Sequence, residues 1–496
     1  MKKRFLFILV ILSLSFVSRA QVTISDIPLS DDFNTYSVAR TTVVGEIVGE
    51  FDNEVVTVVH PENAMGISKD FEVQTIGKNG EMHSVRLKGT RQDGLVAATI
   101  TDDVLHMLLA KITRSQFTVS RVSVSLLDME VITPFTPVYS EKTEVTDTAF
   151  YWVGKSPDGD FVGLVCGAFH KSPEGFQGYA MMFNNDLDTL WTRKYTRGNP
   201  KDLKVDNEGE MLVMSYKTDF ETGRTNFRFG VFDEEGVEEQ EAQLDDGNLL
   251  TVKMLNYING KFVLMGLPLS HQDKYGNMHY AAISGLVYDM DKQLLTQSLH
   301  FFTKDEANVL ENRSLDYPRE GRIVANNLQP MSTTATVYGG AVALARLYFD
   351  VRGMSTPSFY FYTTGALVAA IDTNGDFLWC RPFRNYVTTV STRQYMRYGL
   401  CAQGDNVCLL LSENSESGSA YDISTPAPVK VLGAFKVRTA VYTITPQGEV
   451  SKDLFGEVTK QRVTTDLMPD GKGNYWFLTS LEKQASIHKL NTSIGR

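Results

Sequence analysis

The chain is poor in cysteine, with four in 496 residues at Cys166, Cys380, Cys401 and Cys408 and no CxxC pair. That excludes a disulfide-built scaffold and the paired thiolates of a zinc finger. Apolar runs are equally scarce: after the leader none approaches the roughly 20 residues of a membrane-spanning helix, so no transmembrane anchor is expected. Lys/Arg clusters never exceed two or three residues. A phosphate-rich partner needs a basic stripe, so nucleic acid is excluded as a partner. Nucleophile elbows, HExxH, Walker A, Rossmann glycines and EF-hand loops are all missing. No catalytic residue, metal site or cofactor follows from local motifs.

What is present begins with an address. Lys2, Lys3 and Arg4 precede the apolar run Phe5 to Leu14, and small residues flank Arg19 at Ser18 and Ala20. This is the pattern of a secretory signal over residues 1–20, leaving 21–496 as one domain. Removing four basic and no acidic residues takes the formal charge from -11 to -15. The expected location is periplasmic or extracellular.

Beyond the leader, β-branched and aromatic runs alternate with Gly/Asn/Asp turns, and helical periodicity is nearly absent. One hairpin recurs around Phe71 to Gly80, Val122 to Val131, Tyr179 to Trp191, Phe229 to Gly236, Gly285 to Asp291, Val368 to Trp379 and Val441 to Gly448, with a truncated copy at Ser486 to Asn491. A second series of eight turns runs through Asp52-Asn53, Asp102-Asp103, Asp158-Gly159, Asn207 to Gly209, Asn259-Gly260, Gly339-Gly340, Asp405-Asn406 and Asp470-Gly471. Their spacing starts near about 50 residues and widens later, which is a repeat with insertions. A four-stranded sheet of that size cannot bury both faces alone. Radial stacking solves this, and closing the ring removes the exposed end faces. The expected fold is all-β: a β-propeller of four-stranded blades, eight favoured and seven the alternative, with a β-sandwich pair as the competing architecture. Asp31 to Tyr36 is expected to supply the outer strand that completes the truncated last unit.

Ala370 to Trp379, and more weakly Phe183 to Trp191, resemble the quinoprotein-like propeller repeat, in which a turn Gly precedes a Trp. The spacing departs from that pattern by one residue between Asp and Gly. Leader and turns together are more similar to exported propeller-like proteins of Bacteroidota-type bacteria. The resemblance implies that Trp191 and Trp379 pack between blades rather than stack on a quinone.

Ser270 to His279 is the densest group of ligand-capable side chains, and His271, Asp273, Tyr275 and His279 are the candidate ligand-binding residues. The competing reading is a solvated inter-strand loop. His83, His106, His170 and His300 read as packing or surface residues. The Asp-rich turns at Asp158 and Asp372 offer too few oxygens for calcium and read as turn formers. Cys401 and Cys408 flank a turn and face each other across a hairpin, as a disulfide or as two buried thiols. Insertions are expected near 304–335, 348–364 and 412–432, where a propeller places specificity. The aromatic run Phe359 to Tyr362 reads as a core strand. The functional expectation is a non-catalytic platform that binds an envelope or extracellular protein or a glycan. The alternative is an envelope hydrolase, lyase or quinone-linked enzyme with its site at the central channel. Charged groups on the axis would favour the enzyme.

Overall fold

In the computed structural model the chain is described at residues 23–28, 46–59, 71–78, 81–87, 94–143, 148–169, 176–196, 200–245, 247–311, 325–352, 358–385, 387–390, 398–414, 420–421, 436–459, 462–463, 467–469, 473–481 and 484–491. Strands dominate and form eight antiparallel sheets, the blades of an eight-bladed β-propeller. Blades 1 to 4 are simple meanders. Blade 1, for example, runs through Glu46–Phe51, Glu54–Val59, Glu72–Ile76 and Met82–Arg86. Among the described residues no helix is long and apolar enough to cross a membrane.

Turn chemistry explains the meanders. Asp52 and Asn53 have φ of 45° and 64°, and Asn259 and Gly260 have φ of 49° and 72°. Two successive positive φ values match the twist of a two-residue hairpin, which Asn, Asp and Gly tolerate best. Other hairpins use a side-chain device instead. Asp206 Oδ1 accepts the backbone N–H of Glu208 and Glu210, Asp233 Oδ1 those of Glu235 and Gly236, and Asp372 Oδ1 those of Asn374 and Asp376. Asp206 serves a first hairpin, so the device is common to both turn series. Asp158 likewise takes Ser156 Oγ–H and the N–H of Asp160, a self-contained turn. In blade 6 the turn is Val337-Tyr338, and Gly339-Gly340 already opens the next strand.

The core is divided among the blade interfaces. Eight buried clusters are found among the described residues, one at each seam. The eighth joins Trp476, Leu478 and Ile487 of blade 8 to Ile47, Val55 and Ile76 of blade 1, so the ring is closed. At about 1.5–3 kcal/mol per fully buried large apolar side chain, these seams supply the main stabilisation.

Blade 8 completes itself with the other end of the chain. Thr23–Pro28 pairs antiparallel with Gln484–Asn491, from Thr23 opposite Asn491 to Pro28 opposite Ser486. The sequence expectation placed this strand at Asp31 to Tyr36. Those residues lie outside the described ones, and the pairing belongs to the segment just before them. The expected insertions also resolve differently. Within 304–335 lie a helix at Lys304–Glu311, which we label α1, and most of the first strand of blade 6, Leu328–Thr336. Residues 348–364 are largely an extension of a hairpin in which Arg352 still pairs with Ser358. Phe359 to Tyr362 therefore lies in a strand. Of 412–432, Ser412 to Asn414 continues a strand of blade 7, and most of the remainder lies outside the described residues.

Each first strand has a free edge on the inner side of the ring, and its unpaired N–H and C=O groups need partners. For blades 5 and 7 the preceding blade provides some of them. Tyr216 of blade 4 donates its hydroxyl to Leu250 C=O and accepts Val252 N–H, while Asp202 accepts Met254 N–H at 2.9 Å. Thr218 donates to Leu249 C=O at 2.6 Å. Ser332 of blade 6 accepts Leu400 N–H of blade 7 at 3.0 Å.

Candidate functional site: the blade 5 loop

In blade 5 the second strand, Lys261–Gln272, outruns its partner and pairs instead with the short strand Met278–Tyr280. Ala325–Asn326 then pairs with that strand from the other side. The result is a small braced hairpin whose tip is Asp273 to Asn277. Asp273 Oδ1 accepts the N–H of Tyr275 at 2.8 Å and of Asn277 at 2.9 Å. Its Oδ2 accepts Asn277 Nδ2–H at 2.8 Å and lies 3.3 Å from His279 Nε2. These bonds, the Asn277 side chain foremost, hold the Asp273 carboxyl well below the usual carboxylate range. Gly276, with φ of 83°, completes the turn.

The structure thus brings His271, Asp273 and His279 together. His271 and His279 are register partners with parallel rings 4.3 Å apart, and His279 lies against the Asp273 carboxylate. Each Asp273 oxygen already takes two hydrogen bonds, so its carboxylate has no spare lone pair for a metal ion. It is a positioning group. With Nε2 of His279 facing Asp273, Nδ1 is buried and has no hydrogen-bond partner among the described residues. Tyr275 stands at the tip, 77% exposed, with Lys274 Nζ 4.9 Å from its ring centre. An exposed aromatic face, a hydroxyl, an exposed imidazole and an ammonium within one braced loop make a surface for stacking and hydrogen bonding.

A second polar group lies on the inner strands. Lys155 of blade 3 donates to Ala98 C=O of blade 2 at 2.6 Å and to Glu46 of blade 1 at 3.0 Å. In blade 4, Asp202 meets Lys253 of blade 5 at 3.7 Å. Lys204, two residues on, is half-buried and has no ion-pair partner among the described residues; burial pulls its pKa below the ordinary lysine value. These pairs join residues far apart in sequence, and no local spacing signalled them.

The remaining sequence candidates are placed as follows. Trp191 packs with Leu203, Val205 and Phe232 of blade 4, and Trp379 with Tyr398, Leu400 and Tyr442 of blade 7. Cys401 and Cys408 are register partners across the hairpin, and both are buried free thiols. His106 contacts Ser123 at 2.9 Å and Asp186 of blade 3 at 3.6 Å, whereas His83 is exposed beside Glu81. His170 lies outside the described residues. His300 is hydrogen-bonded to Glu306 at 3.0 Å, an arrangement that the reading of it as a packing or surface residue did not foresee.

No protein-family model matches the chain, and no curated protein matches it. Solved structures similar to it include the β-propeller domain of the trilobed protease from Pyrococcus furiosus, at 10% identity and a TM-score of 0.35, covering 80% of this chain and 93% of that one. The polysaccharide lyase Uly1 is similar at 9% identity and a TM-score of 0.35, covering 80% and 90%. The Dos1 propeller follows at 8% identity and a TM-score of 0.30, covering 77% and 90%. At such identities and scores no activity carries over.

Proposed function

We propose that the protein is an exported, non-catalytic binding platform, of the kind resembling propeller-like envelope proteins of Bacteroidota-type bacteria. It recognises an envelope or extracellular protein or glycan through the blade 5 loop. The observation that carries this reading is Tyr275, an exposed ring on a turn in which the Asp273 carboxylate fixes the backbone N–H of both Tyr275 and Asn277. A pre-ordered loop pays little conformational entropy on binding, and an aromatic face with flanking polar groups suits a sugar ring or an extended peptide. The leader motivates the location. Pulldown from envelope extract and glycan-array screening test the proposal, with Tyr275→Ala expected to weaken capture at least about tenfold. Clean turnover of a substrate without a stable partner overturns it.

The second reading, an envelope hydrolase, lyase or quinone-linked enzyme at the central channel, draws on Lys204. A half-buried ammonium on an inner strand, without an ion-pair partner among the described residues and close to Asp202 and Lys253, is a group an anionic substrate would meet. Glu46 and Asp202, by contrast, are engaged in ties between blades. Turnover abolished by Lys204→Met would establish this reading in place of the platform.

A further inference from the structure

At the seam between blades 5 and 6, three elements bring unlike side chains together. His300 lies on the outer strand Leu294–Phe301, Glu306 in the first turn of α1, and Cys380 on the outer strand Phe377–Phe383 of blade 6. Ligand atoms of the three lie within 4.8 Å of one another. His300 Nε2 is 3.0 Å from both Glu306 oxygens. Glu306 is itself held in place: its Oε2 accepts Thr303 N–H at 2.8 Å, and its own N–H reaches Thr303 Oγ1 at 3.3 Å. Such a reciprocal cap fixes the carboxylate as a supporting shell fixes a metal ligand. The strand and the helix start constrain the His and the Glu, and the Cys approaches from the next blade.

We infer that His300 Nε2, the Glu306 carboxylate and Cys380 Sγ form a site for one divalent transition ion of borderline softness, zinc foremost. The donor set is one nitrogen, one oxygen and one sulfur, the mixture that zinc accepts and that magnesium or calcium does not favour. Charge balances as well. A neutral imidazole, a carboxylate and a thiolate cancel the two charges of the ion, so the half-buried seam receives no net charge. Tetrahedral zinc needs donor separations of about 3.3–3.6 Å given its bond lengths. The imidazole and carboxylate are already near that distance, and the thiol closes the remainder by side-chain rotation. Binding releases the Cys380 thiol proton to solvent, moves the His300 proton from Nε2 to Nδ1 by way of solvent, and replaces the His300–Glu306 hydrogen bond with two coordinate bonds. Three protein donors leave the fourth position to water or to an external ligand. The site lies apart from the blade 5 loop and does not depend on its role.

Cobalt(II) titration of the metal-stripped, tag-free full chain tests the inference. The expected result is one equivalent bound with a sulfur-to-cobalt charge-transfer band and visible bands of tetrahedral intensity, both erased by zinc. Cys380→Ser should remove the charge-transfer band, and His300→Ala should weaken binding about 100-fold or more. The rate of Cys380 alkylation in the unsubstituted chain, with and without zinc, needs no variant and should fall at least about tenfold when the metal is bound. Cobalt spectra without a sulfur band, affinity unchanged in either variant, or an alkylation rate indifferent to zinc would each overturn the site. Zinc that bound only at His271 and His279 would leave Cys380 alkylation unaltered, and so counts against it.

Discussion

His279 Nε2 lies 3.3 Å from Oδ2 of Asp273, across a hairpin whose tip the same carboxylate organises. One side chain therefore sets both the turn and the imidazole. Asp273→Ala should raise amide hydrogen exchange at Tyr275 and Asn277 while the global melting temperature barely moves. Because the native carboxyl is held below its unfolded value, its contribution is present above the unfolded pKa and fades only as the pH falls through the folded one. Protection of those two amides, relative to their intrinsic exchange rates, should thus be flat from neutral pH down to mild acid. Slow exchange persisting in Asp273→Ala would show that the loop is ordered by something else.

The seam between blades 6 and 7 should be sensitive to its tryptophan. Trp379 packs into blade 7, and a Cβ at Gly448 would come within 3.0 Å of Trp379 Cβ and 2.6 Å of Arg381 Nη2. Trp379→Ala is expected to lower the unfolding free energy by about 3–5 kcal/mol. For Gly448→Ala, whose φ is 79°, the backbone conformation alone costs about 1–2 kcal/mol. Urea denaturation measures both. Losses within error of zero would mean that the two blades part without consequence.

Glu210 gives a pH signature. Burial foremost, then Asp206, Asp233 and Glu208, push its carboxyl up to about 7. Between the ordinary value of 4.5 and that figure, the folded chain holds a proton that the unfolded chain has released. Stability must therefore fall as the pH rises through this window. Glu210→Gln should flatten the decline, read as the difference in melting temperature between about pH 5 and about pH 7.5. An equal decline in the variant would assign the slope to other groups.

Thiol titration distinguishes the two forms of the Cys401 and Cys408 pair. Burial raises the Cys166 thiol, and all of Cys166, Cys401 and Cys408 are inaccessible in the folded ring. Only half-buried Cys380 should react with a thiol reagent under native conditions, and all four after denaturation. Two reactive thiols after denaturation without reductant would reveal an oxidised pair.

Much of the fold was legible because it is written locally. Asp52-Asn53 and Asn259-Gly260 adopt the positive φ values that their residue types allow, and the strand runs between such turns became the blades. The outer strand of blade 8 was harder, since Thr-Ile-Ser-Asp-Ile-Pro abuts the leader and ends in proline. Edge strands carry weak patterning, because only one side is hydrogen-bonded. The clustering of His271, Asp273 and His279 followed from their closeness in sequence. The meeting of His300, Glu306 and Cys380 did not, because it depends on two blades and a helix converging across about 80 residues of chain, a distance over which periodicity carries no information.

Pairing Thr23–Pro28 with Gln484–Asn491 gives the molecule a clasp made from its two extremities. During synthesis the first of these segments must wait, unmatched, until almost the whole polypeptide has been made. Contacts that span the entire chain are the costliest to close and the slowest to form. Without Thr23–Pro28 the strand Gln484–Asn491 would present a bare outer edge, open to pairing with another chain, while the apolar seam between blades 8 and 1 would keep all of its residues.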